Sequence, residues 1–199
     1  MTSAAVGAAA LDVFPTIETT NLVLRGVTHD DLPALFEVFS HPEVVRYWSA
    51  PALPDLHAAE ALLASIVAGF RERTLLQWAV TRRGEDRLLG TCTLYRMDTP
   101  HRHVEIGYAL GRAHWGRGIM REALPAVLRF AFHTLGMHRI QADVDPRNSA
   151  SARALEALGF RLEGHLRECY FMAGEIQDAH IYGLLRTDAP AVWDAAAAR

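Results

Sequence analysis

The sequence predicts a mixed α/β fold, with α and β elements built around one sheet in a single domain. Three observations predict it. Helical and strand periodicities alternate along the chain in the order strand, two helices, three strands, helix, strand, helix, two strands. No Gly-, Ser- or Pro-rich linker divides residues 16–188. A length of 199 residues suits one domain with small additions. The segments 1–15 and 189–199 are rich in small residues and are expected to be loose ends around that domain.

The first strand is expected at Asn21-Leu22-Val23-Leu24-Arg25. Thr28 then reads as an N-cap, with Asp31 at the capping-box position ahead of Leu32, Leu35, Phe36 and Phe39. That helix stops near Ser40-His41-Pro42, and a second begins after Pro54-Asp55 with Leu62, Leu63, Ile66, Val67 and Phe70 on one face. Strands over 76–81 and 88–96 flank the polar turn Arg83-Gly84-Glu85-Asp86-Arg87, and a further strand covers 104–110.

A long helix follows over 121–135. Ile119, Ala123, Leu124, Val127, Leu128 and Ala131 face a core, while Glu122, Pro125, Arg129 and His133 form a polar stripe. Pro125 belongs on that outer stripe, because in a helix interior it removes a hydrogen bond and costs ~3 kcal/mol. The strand at 139–144 leads through Asp145-Pro146-Arg147-Asn148 into a short helix that Gly159 terminates. A hairpin of strands at 161–170 and 178–185, turning at Ala173-Gly174-Glu175, closes the fold.

Half the residues are apolar and 22% are charged, the balance of an ordinary soluble globular protein. A formal net charge of −3 argues against broad nucleic-acid binding. Cys92 and Cys169 form no CxxC pair, and neither they nor the ten histidines show metal-ligand spacing. Reduced thiols and no metal are therefore expected, with the cytoplasm as compartment. The first eleven residues lack the basic start and long apolar run of a signal peptide, and no segment is long enough to span a bilayer.

The segment Trp115-Gly116-Arg117-Gly118-Ile119-Met120-Arg121-Glu122-Ala123-Leu124 lies between an expected strand and an expected helix. Amides left free by a first helical turn converge on one point, where the helix dipole adds partial positive charge. Gly116 and Gly118 let the main chain approach an anion with no Cβ in the way. Arg112, Arg117 and Arg121 bracket this corner, so a phosphorylated ligand is expected there. The chain has neither the Gly-x-Gly-x-x-Gly of a dinucleotide site nor the Gly-Lys-Ser/Thr of a nucleotide triphosphatase.

With Asn21–Arg25, Asn148-Ser149-Ala150-Ser151 and Glu156-Ala157-Leu158-Gly159-Phe160-Arg161-Leu162-Glu163-Gly164, this segment resembles the GNAT superfamily of acetyl-CoA-dependent N-acetyltransferases. Within the superfamily the chain is similar to the RimJ/RimL type, which acetylates the N-termini of ribosomal proteins. The superfamily's loop reads Gln/Arg-x-x-Gly-x-Gly/Ala. Here Trp115 stands first and Met120 last, so phosphate contacts rest on backbone amides of 115–121. The resemblance implies a mostly antiparallel sheet of about seven strands, splayed between strands 4 and 5 (104–110 and 139–144), with four flanking helices. It implies acetyl-CoA as co-substrate, held by Ile106, Gly107, Tyr108, Trp115, Gly116, Arg117, Gly118, Ile119, Met120, Arg121, Asn148 and Ser151. It also implies an amine acceptor bound near Tyr47 and Trp48, whose alternative role is packing of a helix-end loop. A protein or peptide N-terminal α-amine, including that of a ribosomal protein, is the expected acceptor, in a monomer or homodimer. A small amine (amino acid, polyamine or antibiotic) and a non-catalytic acyl-CoA-binding module are the alternatives.

Acyl transfer to an amine needs a base, donors for the oxyanion and a proton or hydrogen bond for the departing thiolate. Glu105 alternates with Val104 and Ile106 and is read as the base, acting through water, with a half-exposed surface Glu as its other reading. Gly107, two residues on, suggests a bulge or a close backbone approach that splays the strands. Asn148 and Ser151 are natural helix caps; by the resemblance, Asn148 contacts the pantetheine arm and Ser151 assists thiolate departure. Tyr170 and Tyr182 are alternative acids.

Overall fold

A computed structural model of the chain describes residues 11–48, 50–172 and 174–188. Eight strands form one sheet in the order β1-β2-β3-β4-β5-β6-β8-β7. They are β1 (Ile17–Glu18), β2 (Leu22–Gly26), β3 (Leu75–Arg82), β4 (Gly90–Asp98), β5 (His103–Leu110), β6 (Arg139–Val144), β7 (Arg161–Met172) and β8 (Glu175–Leu185). The two-residue β1 is the one beyond the sequence expectation. The α-helices are α1 (Leu32–Ser40), α2 (Pro42–Val45), α3 (Leu56–Arg71), α4 (Ile119–Arg129), which a π-helical turn over Phe130–Thr134 continues, and α5 (Ser149–Ala157). The short α2 is additional: Pro42 enters at its first turn, and the His41 ring accepts from Glu43 N at 3.2 Å.

Strand alternation separates two cores. On one face Leu24, Trp78, Leu94, Val104, Ile106 and Ile140 pack with the α4 and α5 residues Ile119, Ala123, Leu124, Val127, Leu128 and Leu155. All six residues assigned from the sequence to the inner face of the long helix are buried, and Pro125 lies on its half-buried outer stripe. On the other face α1 and α3 cover Ala79 and Ala109 with Leu35, Phe39, Leu63 and Ile66. Val67, placed by its spacing on the inner face of α3, is exposed. The buried stripe of that helix runs through Ala59, Leu63, Ile66 and Gly69 instead.

Local chemistry ties these layers down. Asp31, 3% exposed, accepts from Thr28 N at 2.8 Å and receives both Arg25 Nη atoms at 2.7 and 2.9 Å. The capping box therefore also anchors α1 to β2. Glu122 on α4 accepts from Thr19 Oγ1, Asn21 N and Asn21 Nδ2 at 2.6, 2.7 and 3.0 Å, fixing that helix against the β1–β2 corner. At the C-terminus of α5 Phe160 N donates to Leu155 O and Gly159 N to Glu156 O, with Gly159 at φ 94°. That is a Schellman ending, in which glycine supplies the left-handed residue.

Residues 11–15 belong to the segment expected to be loose, yet they pack. The Phe14 ring lies 5.0 Å from Phe70 and 5.6 Å from Trp78, and Trp78 Nε1 donates to Pro15 O at 2.7 Å. The buried indole needs an acceptor, and this segment supplies it. Residues 1–10 and 189–199 lie outside the described residues, as does Ala173 of the expected turn.

Candidate active site

The sheet opens between β5 and β6. These parallel neighbours pair only at His103–Arg139, Val104–Ile140 and Glu105–Gln141. Beyond Glu105 the strands diverge, each held on its far side, β5 by β4 to Leu110 and β6 by β8 to Val144. The flank of β5 from Ile106 onward faces β6 without a strand partner, so an extended ligand can take the place of the missing ladder.

The expected bulge is present but is not at Gly107, where an added Cβ would meet only Tyr95 Cε1 at 3.5 Å. It lies on β4, where Arg96 and Met97 stand between the paired positions Tyr95–Glu105 and Asp98–His103. Arg96 adopts φ 49° there. A bulge adds twist and turns a side chain, and this one aims the Arg96 guanidinium at Glu105.

A cleft of about 320 Å³ lies at the splay. Its walls include Tyr47, Trp48, Ile106, Gly107, Tyr108, Asn148 and Ser151, all singled out from the sequence. Glu105 does not line it. That residue is 6% exposed, with Arg96 Nη1 at 3.2 Å from both carboxylate oxygens. The Tyr95 phenol, which does line the cleft, is pushed up in pKa by burial and then by the Glu105 charge and hydrogen bond. Glu105 is thus a buried, ion-paired group reached past Tyr95, not an open carboxylate.

Three carboxylates line the cleft directly: Asp145 is paired with Arg147 and Asp178 with His165, while Asp143 accepts from the Tyr170 hydroxyl. Burial raises the Asp143 pKa above the usual carboxylate range; the Tyr170 bond opposes this and the Glu105 charge adds to it. Sequence reasoning passed over Asp143, although the alternation of Gln141 and Asp143 with buried Ile140, Ala142 and Val144 was the available signal. Tyr170 reaches it because β7 bulges between Leu166 and Tyr170. Tyr182, the other alternative acid, points elsewhere, with its hydroxyl 3.3 Å from Glu156 Oε1.

On the opposite wall the Tyr108 and Ser151 hydroxyls are 2.7 Å apart. Burial pushes the Tyr108 pKa up to about 12, so the phenol stays protonated near neutrality. Asn148 Oδ1 accepts from Ser151 N at 3.1 Å, the cap expected from the sequence, which leaves the amide N–H groups of Asn148 for the cleft.

The glycine loop lies outside this cleft, at the start of α4. Gly116 and Gly118 adopt φ 72° and 77°, and a Cβ at either would meet nothing within 4 Å. The first helical bond runs from Glu122 N to Gly118 O at 3.2 Å. Among the described residues no hydrogen bond occupies the amides of Gly116 through Arg121. The donors a diphosphate requires are therefore present, and the space over them is open. Trp115 braces the loop: its Nε1 donates to Leu110 O at 2.6 Å, and the Arg112 guanidinium sits 4.8 Å from its ring. Arg112 is also bonded to Glu43 at 2.6 Å, so of the three bracketing arginines it is the structural one. Met120 meets Cys92 at 3.8 Å between sulfurs, and Cys92 pairs with Tyr108 across β4–β5, which connects the loop to the cleft wall. Among the described residues no group of acidic, His and Cys side chains is arranged to hold a metal.

Open amides before a helix, a splayed sheet and hydroxyls along the gap match the needs of acyl transfer from a thioester carried on a long phosphorylated arm. Sequence comparison agrees. The acetyltransferase (GNAT) domain family matches residues 21–161, and the chain belongs to that family. It is an acetyl-CoA-dependent N-acetyltransferase. It is 33% identical over 174 residues to the uncharacterized N-acetyltransferase YoaA of Bacillus subtilis, covering 87% of this chain and 98% of YoaA. A solved protein from T. thermophilus, described as an acetyltransferase, superposes with a TM-score of 0.79 at 32% identity, over 94% of this chain and 98% of that one. Some relatives carry named acceptors. Vibrio cholerae spermidine N(1)-acetyltransferase is 26% identical over 80% of this chain and 90% of its own length. The Escherichia coli [ribosomal protein uS5]-alanine N-acetyltransferase is 37% identical over 41% of this chain and 42% of its own.

Proposed function

We propose that this enzyme acetylates the N-terminal α-amine of a protein or peptide, as the RimJ/RimL type does, by direct attack while both substrates are bound. The observation that carries the reading is the continuation of the cleft. Beyond Tyr47 and Trp48 a second cavity of about 350 Å³ shares Trp48 and Gln177 with the first and extends past Arg46, Arg147 and Glu175. An acceptor that continues beyond its reacting amine has room there, with charged groups along the way. The partial match to the uS5-alanine enzyme points the same way, and the spermidine enzyme marks the small-amine alternative.

Acetyl-CoA supplies an acyl carbon activated by its thioester. The amides of Gly116 to Arg121 grip the diphosphate, with exposed Arg117 and Arg121 beside it. The open flank from Ile106 to Tyr108 and the Asn148 amide orient the arm. As the amine nitrogen bonds to the acyl carbon and the carbon–sulfur bond breaks, the amine proton passes through water to Glu105, past Tyr95. Ser151, hydrogen-bonded to Tyr108, donates to the departing sulfur. Tyr47 and Trp48 wall the acceptor end. A cytoplasmic setting goes with this reading and with the free thiols of Cys92 and Cys169.

The test is thiol release from acetyl-CoA with peptides, amino acids, polyamines and aminoglycosides as acceptors. Turnover strongest on peptides with a free N-terminus supports the assignment. Turnover confined to polyamines overturns the acceptor, and acetyl-CoA binding without release from any amine overturns the enzyme.

A further inference from the structure

Glu105 can take a proton from the cleft only by way of the groups that cover it. On one side Arg96 Nη1 stands 3.2 Å from both carboxylate oxygens, and the Arg96 guanidinium lies 5.9 Å from the centre of the Tyr95 ring. A guanidinium stays protonated and has no lone pair with which to accept. Gln141, the β6 partner of Glu105, is an amide engaged by Arg139 Nη2 at 3.3 Å and passes no proton near neutrality. On the cleft side stands Tyr95, paired with Glu105 across β4 and β5. Its phenol is raised in pKa by burial and then by the charge and hydrogen bond of the Glu105 carboxylate. The Tyr95 ring packs beside Gly107, on the open flank of β5, with Cε1 3.5 Å from where a Cβ would stand. One side chain therefore adjoins both the buried carboxylate and the flank that receives the thioester arm.

We propose that the Tyr95 phenol is the relay that carries the acceptor's proton to Glu105. As the amine lone pair forms the bond to the acyl carbon, the amine proton passes through water to Tyr95 Oη, and the Tyr95 hydroxyl proton moves to a Glu105 carboxylate oxygen. One proton arrives and one leaves, so the phenol is unchanged and no further reactant is needed. Glu105 afterwards returns its proton to solvent along the same path. A phenol suits this task because a single oxygen both donates and accepts. Burial and the neighbouring carboxylate keep it protonated near neutrality, so it holds the proton that it hands on, and the two transfers occur together. Tyr170 donates to Asp143 and Tyr108 pairs with Ser151, which leaves Tyr95 as the phenol that serves Glu105. This rests on the acetyl-transfer reading above, with Glu105 as base, and names the group that connects that base to the cleft.

The experiment is a double-mutant cycle on the full chain: wild type, Tyr95→Phe, Glu105→Gln and the double variant. The acceptor is the amine that wild type acetylates fastest in the thiol-release screen above. The readout is the single-turnover rate of thiol release, which product release does not mask. Tyr95→Phe keeps the ring beside Gly107 and should slow the rate about tenfold or more, with acetyl-CoA affinity and acceptor KM as in wild type. The double variant should be no slower than Glu105→Gln, because a relay without its base has nothing to serve. In wild type the rate should fall along a curve as D2O replaces H2O, the mark of more than one proton in flight, and a straight line overturns the relay without recourse to any variant. Tyr95→Phe at the wild-type rate, with Glu105→Gln slowed, overturns the relay and leaves Glu105 as the base. Losses that multiply in the double variant, or a Tyr95→Phe loss confined to acceptor KM, make Tyr95 an independent binding or packing residue and equally overturn it. Glu105→Gln at the wild-type rate overturns base and relay together. Failure of the folded wild type to release thiol with any amine overturns this inference along with the function on which it rests.

Discussion

At the scale of single residues, chemistry depends on what each side chain touches. Glu105 is buried against Arg96 and reached past Tyr95, so the base role proposed for it predicts an effect on the chemical step and not on binding. Glu105→Gln should lower kcat about a hundredfold near neutral pH, within the range for a lost general base, while leaving acetyl-CoA affinity near wild type. Turnover equal to wild type in the steady state would transfer the role to Asp143, the cleft carboxylate that no arginine or histidine pairs among the described residues. Ser151 and Tyr108 share one hydrogen bond of 2.7 Å. Ser151→Ala should therefore slow thiol release about tenfold, with Tyr108 left behind as a donor. A rate identical to wild type would make Ser151 only part of the α5 cap. Sequence alternation placed Glu105 on the face opposite Val104 and Ile106. It could not show the arginine that covers it, because the bulge at Arg96 and Met97 leaves no mark in period-two spacing.

Among the elements, the loop entering α4 was the most legible. Two glycines between strand and helix have few structural explanations other than left-handed backbone at an open helix start, and both adopt positive φ. That conformation also qualifies the obvious test. Gly118→Trp should abolish acetyl-CoA binding by filling the space above the amides. It should also cost about 1–2 kcal/mol of stability, because an L-residue is strained at φ 77°. Titration calorimetry with unchanged affinity would refute the loop assignment. Less legible were the ends of the chain's regular segments. The stop before Pro42 was visible in the sequence, whereas the short turn of helix after it was not, since Pro42–Val45 is too brief for a periodic pattern.

Across the whole molecule, the Arg25–Asp31 pair joins β2 to the start of α1, and Arg25 also reaches Asp86 at 2.6 Å. Burial alone would raise the Asp31 pKa, but the bonds from Arg25 and Thr28 outweigh it and hold the carboxyl below the usual range. A depressed carboxylate contributes stability that is complete above its unfolded pKa, near 4, and lost as the pH falls through the lower folded value. Asp31→Ala should cost about 3–5 kcal/mol at neutral pH, the range for breaking one side of a buried pair. It should also flatten the acid limb of a Tm-against-pH curve. A variant with wild-type Tm at pH 7 would show the pair to be neutral.

The sequence by itself determined the order of the longer elements, the inner face of α4, the caps at Asn148 and Gly159, and the two glycines at an open helix start. All of these follow from local periodicity and from residue types that few backbone conformations accept. Only the tertiary structure decided that Tyr108 meets Ser151 and that Asp143 and not Glu105 opens on the cleft. Those facts depend on strand register, on the bulges in β4 and β7, and on the point where β5 and β6 part. Register is a relation between distant segments, so no single stretch of chain encodes it.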